Sequence, residues 1–391
     1  MDMNNCSLCF NIIEWFRAWS FVLSLLILAL TPGQGSAASN DVPAKVDRNR
    51  LALRMMTPNS YLCYRATHPL VIDGTLNDPA WRNAPWTADF VDIEGDAKPA
   101  PPLRTRVKML WDDNYLYVGA HLEEPHVWAT LTQHDSVIFQ DNDFEIFIDP
   151  DGDNHNYYEI EINALNTVWD LRLPKPYRDG GTAINEWGIP GLRTAVHVDG
   201  TLNDPRDTDR SWSVVLAIPW RVLGEYAGCP SPPRNGDQWR INFSRVEWDT
   251  QIMDGHYHKI PKRREHNWVW SPQGVIDMHR PEHWGYVQFS TDAPGKATLR
   301  RDPSLPARNY LMQVYDAQQE YKKQTGHYAT TLTNLTVSKP PVANDISQPT
   351  LHVTNDGFEA TIDYVAEDKS IHRLHVQADS RLWSTPLHEQ K

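Results

Sequence analysis

The chain has 391 residues and a formal net charge of −13. A field of that sign repels phosphate, and no broad basic surface offsets it, which argues against a nucleic-acid partner. Sixteen tryptophans, all but Trp15 and Trp19 beyond residue 80, exceed what one sheet face can bury. Most are expected in a core and a few on a binding surface.

Residues 18–30 form an apolar run bounded by Arg17 and Thr31-Pro32. The run is shorter than the ~20 residues a bilayer span takes. Ser36-Ala37-Ala38 fits a small-x-small cleavage site, so residues 1–38 read as a signal peptide and the mature chain as secreted or periplasmic. An uncleaved anchor is the alternative. Cleavage removes Cys6 and Cys9 and leaves Cys63 and Cys229, for which an oxidising compartment predicts one disulfide, with two buried free thiols as the alternative.

A polar leader follows over 39–60, and then one β-rich unit over 61–290. Thr105–Trp111 alternates apolar and polar residues, Asp112-Asp113-Asn114 is a turn, and Tyr115–Glu123 returns as its hairpin partner. Further strands are predicted at 144–149, 157–163, 167–173, 192–198, 212–218, 238–248, 267–270 and 284–289, with one short helix over 219–226 that Pro219 opens. Many short strands separated by turns predict a mainly β fold, an antiparallel β-sandwich of jelly-roll-like kind. A linker at 291–306 leads to a small α+β tail over 307–391. Its helix is marked by Leu311, Val314, Tyr315, Gln318 and Tyr321 and ends at Gly326, and strands are expected at 358–364 and 370–377.

The most informative stretch is Asp141-Asn-Asp-Phe-Glu-Ile-Phe-Ile-Asp-Pro-Asp-Gly-Asp153, followed by Tyr157-Tyr-Glu-Ile-Glu-Ile-Asn163. Strand alternation puts Glu145 and Phe147 on one face and Phe144, Ile146 and Ile148 on the other. Glu159 and Glu161 likewise share a face. Asp149, Asp151, Asp153 and Asn154 offer hard oxygens at near-alternate positions suited to Ca²⁺, although a metal-free hairpin turn explains the same residues. His256-x-His258 is expected in a loop, with no third ligand spaced to close a zinc site.

With Ile72-Asp-Gly-Thr-Leu and its Trp81, Leu110-Trp-Asp-Asp-Asn-Tyr-Leu-Tyr-Val118, the Glu145–Asp149 strand and the closing Trp284-Gly, the chain resembles the family 9 carbohydrate-binding modules over about residues 68–290. The resemblance implies an antiparallel β-sandwich, structural calcium, and sugar held between two aromatic rings, often beside glycoside hydrolases. Phe139 stands at the first ring's position and Glu145 is the kept carboxylate. Met278 replaces the second ring, and Glu161 stands where a basic ligand is expected. Trp268 and Trp270 are candidates for the missing ring, with core packing as their alternative.

The expected function is a secreted carbohydrate-binding protein that recognises a polysaccharide or oligosaccharide through an aromatic face and serves carbohydrate catabolism. The alternatives are a glycoside hydrolase drawing on Glu145, Glu159, Glu161 or Asp170, for which two carboxylates must flank the bond, and a surface module that has lost the sugar. No nucleophile elbow, phosphate loop or dinucleotide fingerprint is present.

Overall fold

The computed structural model describes residues 57–340 and 346–387. The expected signal peptide and most of the expected polar leader lie outside the described residues. Among those described, no helix is long and apolar enough to cross a membrane.

The first unit contains β1 (Ser60–Arg65), β2 (Val91–Asp92), β3 (Thr105–Trp111), β4 (Tyr115–Glu123), β5 (Asp143–Asp149), β6 (Tyr157–Asn163) and β7 (Val168–Leu173). There follow β8 (Arg193–Asp199), β9 (Ser211–Pro219), the one-turn helix α1 (Trp220–Leu223), β10 (Gln238–Glu247), β11 (Thr250–Met253), β12 (His256–Lys259), β13 (His266–Val269) and β14 (Gly285–Ser290). The tail adds α2 (Leu305–Thr325), β15 (Thr350–Val353), β16 (Phe358–Val365), β17 (Ile371–Gln377) and β18 (Leu382–Pro386).

One sheet runs in the order β7-β6-β5-β10-β14-β1-β3-β4-β9-β8, with β13 and β2 branching from β10. It curls back so that its two halves face each other. Phe144, Ile146 and Ile148 of β5 share one apolar cluster with Val107 of β3, Val118 of β4 and Leu216 of β9. That shared cluster makes the curled sheet a β-sandwich. Its pairing is antiparallel except at β1, which lies parallel to both β14 and β3 and joins the halves. Strand β10 explains the curl. Ser244 pairs with Glu145 of β5 on one edge and with Val269 of β13 on the other, while Gln238–Ile241 pair with β14.

The tail helix packs on its own four-stranded sheet, β15-β16-β17-β18, around Leu311, Val314, Phe358, Ile362 and Leu374. Gly326 caps α2 in the left-handed region at φ 85°. The His256-x-His258 pair stands on a strand, in the β11–β12 hairpin, rather than in the expected loop.

The expected Cys63–Cys229 bridge is not formed, and both cysteines are free. Cys63 is sealed inside the core and Cys229 packs half-buried against the same cluster. Burial raises the pKa of both thiols, that of Cys229 to about 12. Both therefore behave as apolar filler rather than as thiolates.

Tryptophan serves mainly as core, with Trp81, Trp212, Trp220, Trp239, Trp270 and Trp284 fully buried. Gly285 opens β14 directly under Trp270, where an added Cβ would lie 2.3 Å from the indole ring. The expected result of Gly285→Ala is a loss of about 1–3 kcal/mol from overpacking, read as a lower urea midpoint with an unchanged m-value. A midpoint equal to wild type would mean that the Trp270 ring yields freely.

Candidate functional site

The outer face of β5 and β6 is the floor of a cleft of about 460 Å³. Alternation along β5 turns Glu145 and Phe147 outward, and the antiparallel register sets Glu145 opposite Glu161 and Phe147 opposite Glu159. Trp169 of β7, which pairs with Glu161, extends the floor. Phe139 forms one wall on a 3₁₀ turn, Ile138–Gln140. That turn is fastened at two points: the Phe139 N–H donates to a Glu161 carboxylate oxygen at 2.9 Å, and the Trp248 indole N–H donates to the Phe139 carbonyl at 2.8 Å. The opposite wall is the late loop Ile276–His279, with Tyr177 at the rim.

Four of the six sequence-derived sugar-contact candidates, Phe139, Glu145, Glu161 and Met278, therefore line one cleft. Trp268 and Trp270 do not. They are 4% and 1% exposed and belong to the inner core, while Asn267 between Trp268 and His266 turns outward into the cleft. The two indoles share a face, as period-2 alternation requires, and that face is the interior.

Phe147, Trp169 and Tyr177 line the cleft without having been among the six candidates. Tyr177 is 46% exposed and meets His279 edge-on at 4.5 Å between ring centroids. Its only signal in sequence is the Pro174-Lys-Pro-Tyr177 run, which sets a turn after β7. Burial, and then the charges of Glu159 and Glu161, push its phenol up to about 12.

The floor is acidic without compensation. Burial and then Glu145 raise the carboxyls of Asp143, Glu159 and Glu161 well above the usual range, and burial raises Glu145 to about 7. Along the described lining, His279 is the one basic side chain. Burial lowers its pKa to about 4, and its Nδ1 meets the Tyr157 hydroxyl at 3.0 Å.

The late wall is anchored from below. Arg178 pairs with Glu282 at 2.9 Å and donates to the His279 carbonyl at 3.2 Å. Burial opposes ionisation of Glu282, yet Arg178 and its neighbours hold it down to about 2. The tail reaches the same spot: Tyr315 of α2 and Ser380 both donate hydroxyl hydrogen bonds to Asp179.

The second acidic group lies at the β5–β6 turn. Asp149, Asp151 and Asp153 bring carboxylate oxygens within 4.8 Å of one another. Asp149 accepts the backbone N–H groups of Gly152 at 3.1 Å and Asn154 at 3.0 Å. Burial, then Asp151 and Asp153, push Asp149 well up, and burial followed by Asp153 raises Asp151 to about 7. The Asn154 amide donates to the Ser380 carbonyl of the tail at 2.9 Å, and Arg381 donates to Asp153 at 3.1 Å. A cluster of three hard, mutually repelling oxygen ligands on a tight turn fits calcium.

His283, at the base of the late wall, carries a pKa lowered to about 4, burial being the leading cause. As pH falls from 6.5 to 4, the unfolded chain takes up a proton at this position that the folded chain refuses. Its contribution to stability is thus present above pH 6.5 and lost on acidification through that window. His283→Asn is expected to flatten the fall in unfolding free energy between pH 6.5 and 4 by about 1–3 kcal/mol. Denaturant titrations at closely spaced pH values check this, and parallel curves for the two proteins would refute it.

Residues 72–179 match a family model described as carbohydrate family 9 binding domain-like. Among curated proteins no relative matches. Solved structures with a partial likeness include a family 9 carbohydrate-binding module of Caldicellulosiruptor kristjanssonii in complex with cellotriose, at 16% identity and a TM-score of 0.39, covering 62% of this chain and 100% of that one. The module's glucose complex is 17% identical, with a TM-score of 0.38 over 61% of this chain and 100% of that one. A protein of Bacteroides uniformis ATCC 8492, described as a carbohydrate-binding candidate, is 16% identical, with a TM-score of 0.43 over 60% of this chain and 100% of that one. Over residues 72–179, the stretch that supplies Phe139, Glu145 and Glu161, the chain resembles the carbohydrate family 9 binding domains.

Proposed function

We propose that the protein is a secreted carbohydrate-binding protein that holds a glycan in the cleft between Phe139 and the Tyr177–Met278 side. The observation that supports this most is the convergence of Phe139, Glu145, Glu161 and Met278 on one cleft of sugar size. Phe139 and Tyr177 offer ring faces to the C–H side of a pyranose, and the Met278 thioether adds an adaptable apolar contact. Glu145 and Glu161 accept hydrogen bonds from sugar hydroxyls. The role is delivery or retention of glycan for carbohydrate catabolism, alongside glycoside hydrolases of the same pathway.

With a thioether in place of one ring, affinity is expected nearer millimolar than micromolar, since an aromatic contact is worth about 0.5–1.5 kcal/mol. Calorimetry with gluco-, xylo- and manno-oligosaccharides is expected to give weak binding that Phe139→Ala, Tyr177→Ala and Glu145→Gln each reduce. Equal binding by all three variants would place the sugar elsewhere. Release of reducing ends during incubation would favour the hydrolase reading, for which the raised pKa of Glu145, about 7, suits a general acid.

We further propose that the Asp149–Asp153 turn holds a structural calcium. The carboxylates of Asp149, Asp151 and Asp153 would ligate the ion, whose charge would relieve their mutual repulsion. Binding to the native state alone adds ~2.7 kcal/mol at a hundredfold excess of ion over Kd. Calcium is therefore expected to raise the melting temperature relative to EDTA, and Asp151→Asn to shrink that difference. An identical melting temperature in both buffers would exclude the site.

A further inference from the structure

We infer that the floor of the cleft is itself a cation site, in which Asp143, Glu145 and Glu161 take a hard divalent cation of the calcium class. These three side chains bring ligand oxygens within 4.8 Å of one another. Two oxygens on opposite sides of a calcium ion stand ~4.6–5.2 Å apart, twice the usual bond length. The three oxygens thus lie within the span that one such ion bridges.

A further observation, not a matter of acid count, points to a ligand here. Asp143 is 0% exposed, and one of its oxygens accepts the Val246 N–H at 3.2 Å. Its other oxygen, Oδ2, is sealed from solvent and has no hydrogen-bond partner. The Ser244 hydroxyl, 1% exposed and directly opposite Glu145 in the β5–β10 ladder, is engaged by the Glu145 carboxyl and is not free to serve Asp143. Buried polar atoms without partners are uncommon in folded proteins and call for an ion or water. Beside two further carboxyls, the sealed Asp143 oxygen calls for the ion.

Charge leads to the same place. Glu145 and Glu161 face each other across adjacent strands, where like charges destabilise a sheet. The groups that act most on Glu145, Glu159 and Glu161 include no lysine or arginine. Arg245, the nearby cation of β10, is committed to Glu124 at 2.6 Å and Glu247 at 2.9 Å. A divalent ion supplies the positive charge that the chain withholds, at the floor of the cleft that Glu145 and Glu161 line.

The inference is separable from the calcium turn and from the sugar reading. Terbium, a luminescent stand-in for calcium, is titrated into the full-length Asp149→Asn/Asp151→Asn protein with no sugar present. Saturable luminescence, competed away by calcium, is expected, and adding Glu161→Gln should weaken it at least tenfold. A signal absent from the turn variant, or unchanged by Glu161→Gln, overturns the proposal. Should the combined variants not fold, anomalous scattering from terbium-soaked wild-type crystals decides: a peak among Asp143, Glu145 and Glu161 supports the site, and its absence there overturns it. Because no sugar enters either measurement, a negative result leaves the sugar reading standing.

Discussion

Everything at the working end of this molecule depends on carboxylates held, out of water, on the outer face of β5 and β6. Outward positions on a sandwich are ordinarily solvated and polar. Here the 3₁₀ turn at Phe139, the late loop at Met278 and the rim at Tyr177 roof that face over, so that all seven residues of β5 and all seven of β6 are buried. An acid under such a roof cannot ionise cheaply. The face is stable only while its acids share protons, hydrogen bonds or a cation, and each of these makes the cleft responsive to what enters it.

The roof in turn depends on ties from elsewhere in the chain. The Arg178–Glu282 ion pair is nearly sealed from solvent and joins the turn after β7 to the base of the late loop. Breaking one partner of such a pair leaves an uncompensated buried charge. The tail fixes the adjoining Asp179 through Tyr315 and Ser380, and fixes the Asp149–Asn154 turn through Ser380, Arg381 and the bond from Arg308 to the Gly152 carbonyl at 2.8 Å. One small α+β unit thus braces both ends of the β5–β6 hairpin region: the acidic Asp149–Asn154 turn and the rim of the cleft.

Much of this was legible in sequence because a strand has period 2. Phe-Glu-Ile-Phe-Ile at 144–148 declares which side chains meet the core, and the structure puts Phe144, Ile146 and Ile148 there. The same rule placed Trp268 and Trp270 together but could not tell inside from outside. That choice was made by β10, which pairs β13 over Ser244–Glu247 and turns both indoles inward. Strand β1 was hidden because Ser60–Arg65 follows a polar leader and its neighbours β14 and β3 are parallel and distant in sequence. The β11–β12 hairpin was hidden because its two strands are four residues each and largely solvated, with no alternation that marks a buried face. Tyr177 was hidden because a rim is made by tertiary approach, in this case of the turn after β7 to a loop about a hundred residues later.

The departure at Glu161 is more consequential than the one at Met278. Replacing a ring by a thioether weakens one contact and leaves the cleft apolar on that side. An acid where a base is expected reverses the charge beneath the sugar. A base there would neutralise Glu145 internally and leave the floor complete; an acid leaves the two carboxyls to share protons or to wait for a cation. On the proposed reading, a floor of that kind would discriminate by charge before shape: it would disfavour uronic acids and sulfated glycans and favour ligands that are neutral or carry a cation. The overall negative charge of the chain acts in the same direction at longer range, within the Debye length. On the proposed reading, specificity would rest on the two cross-strand glutamates, with the Phe139 wall orienting the ring they admit.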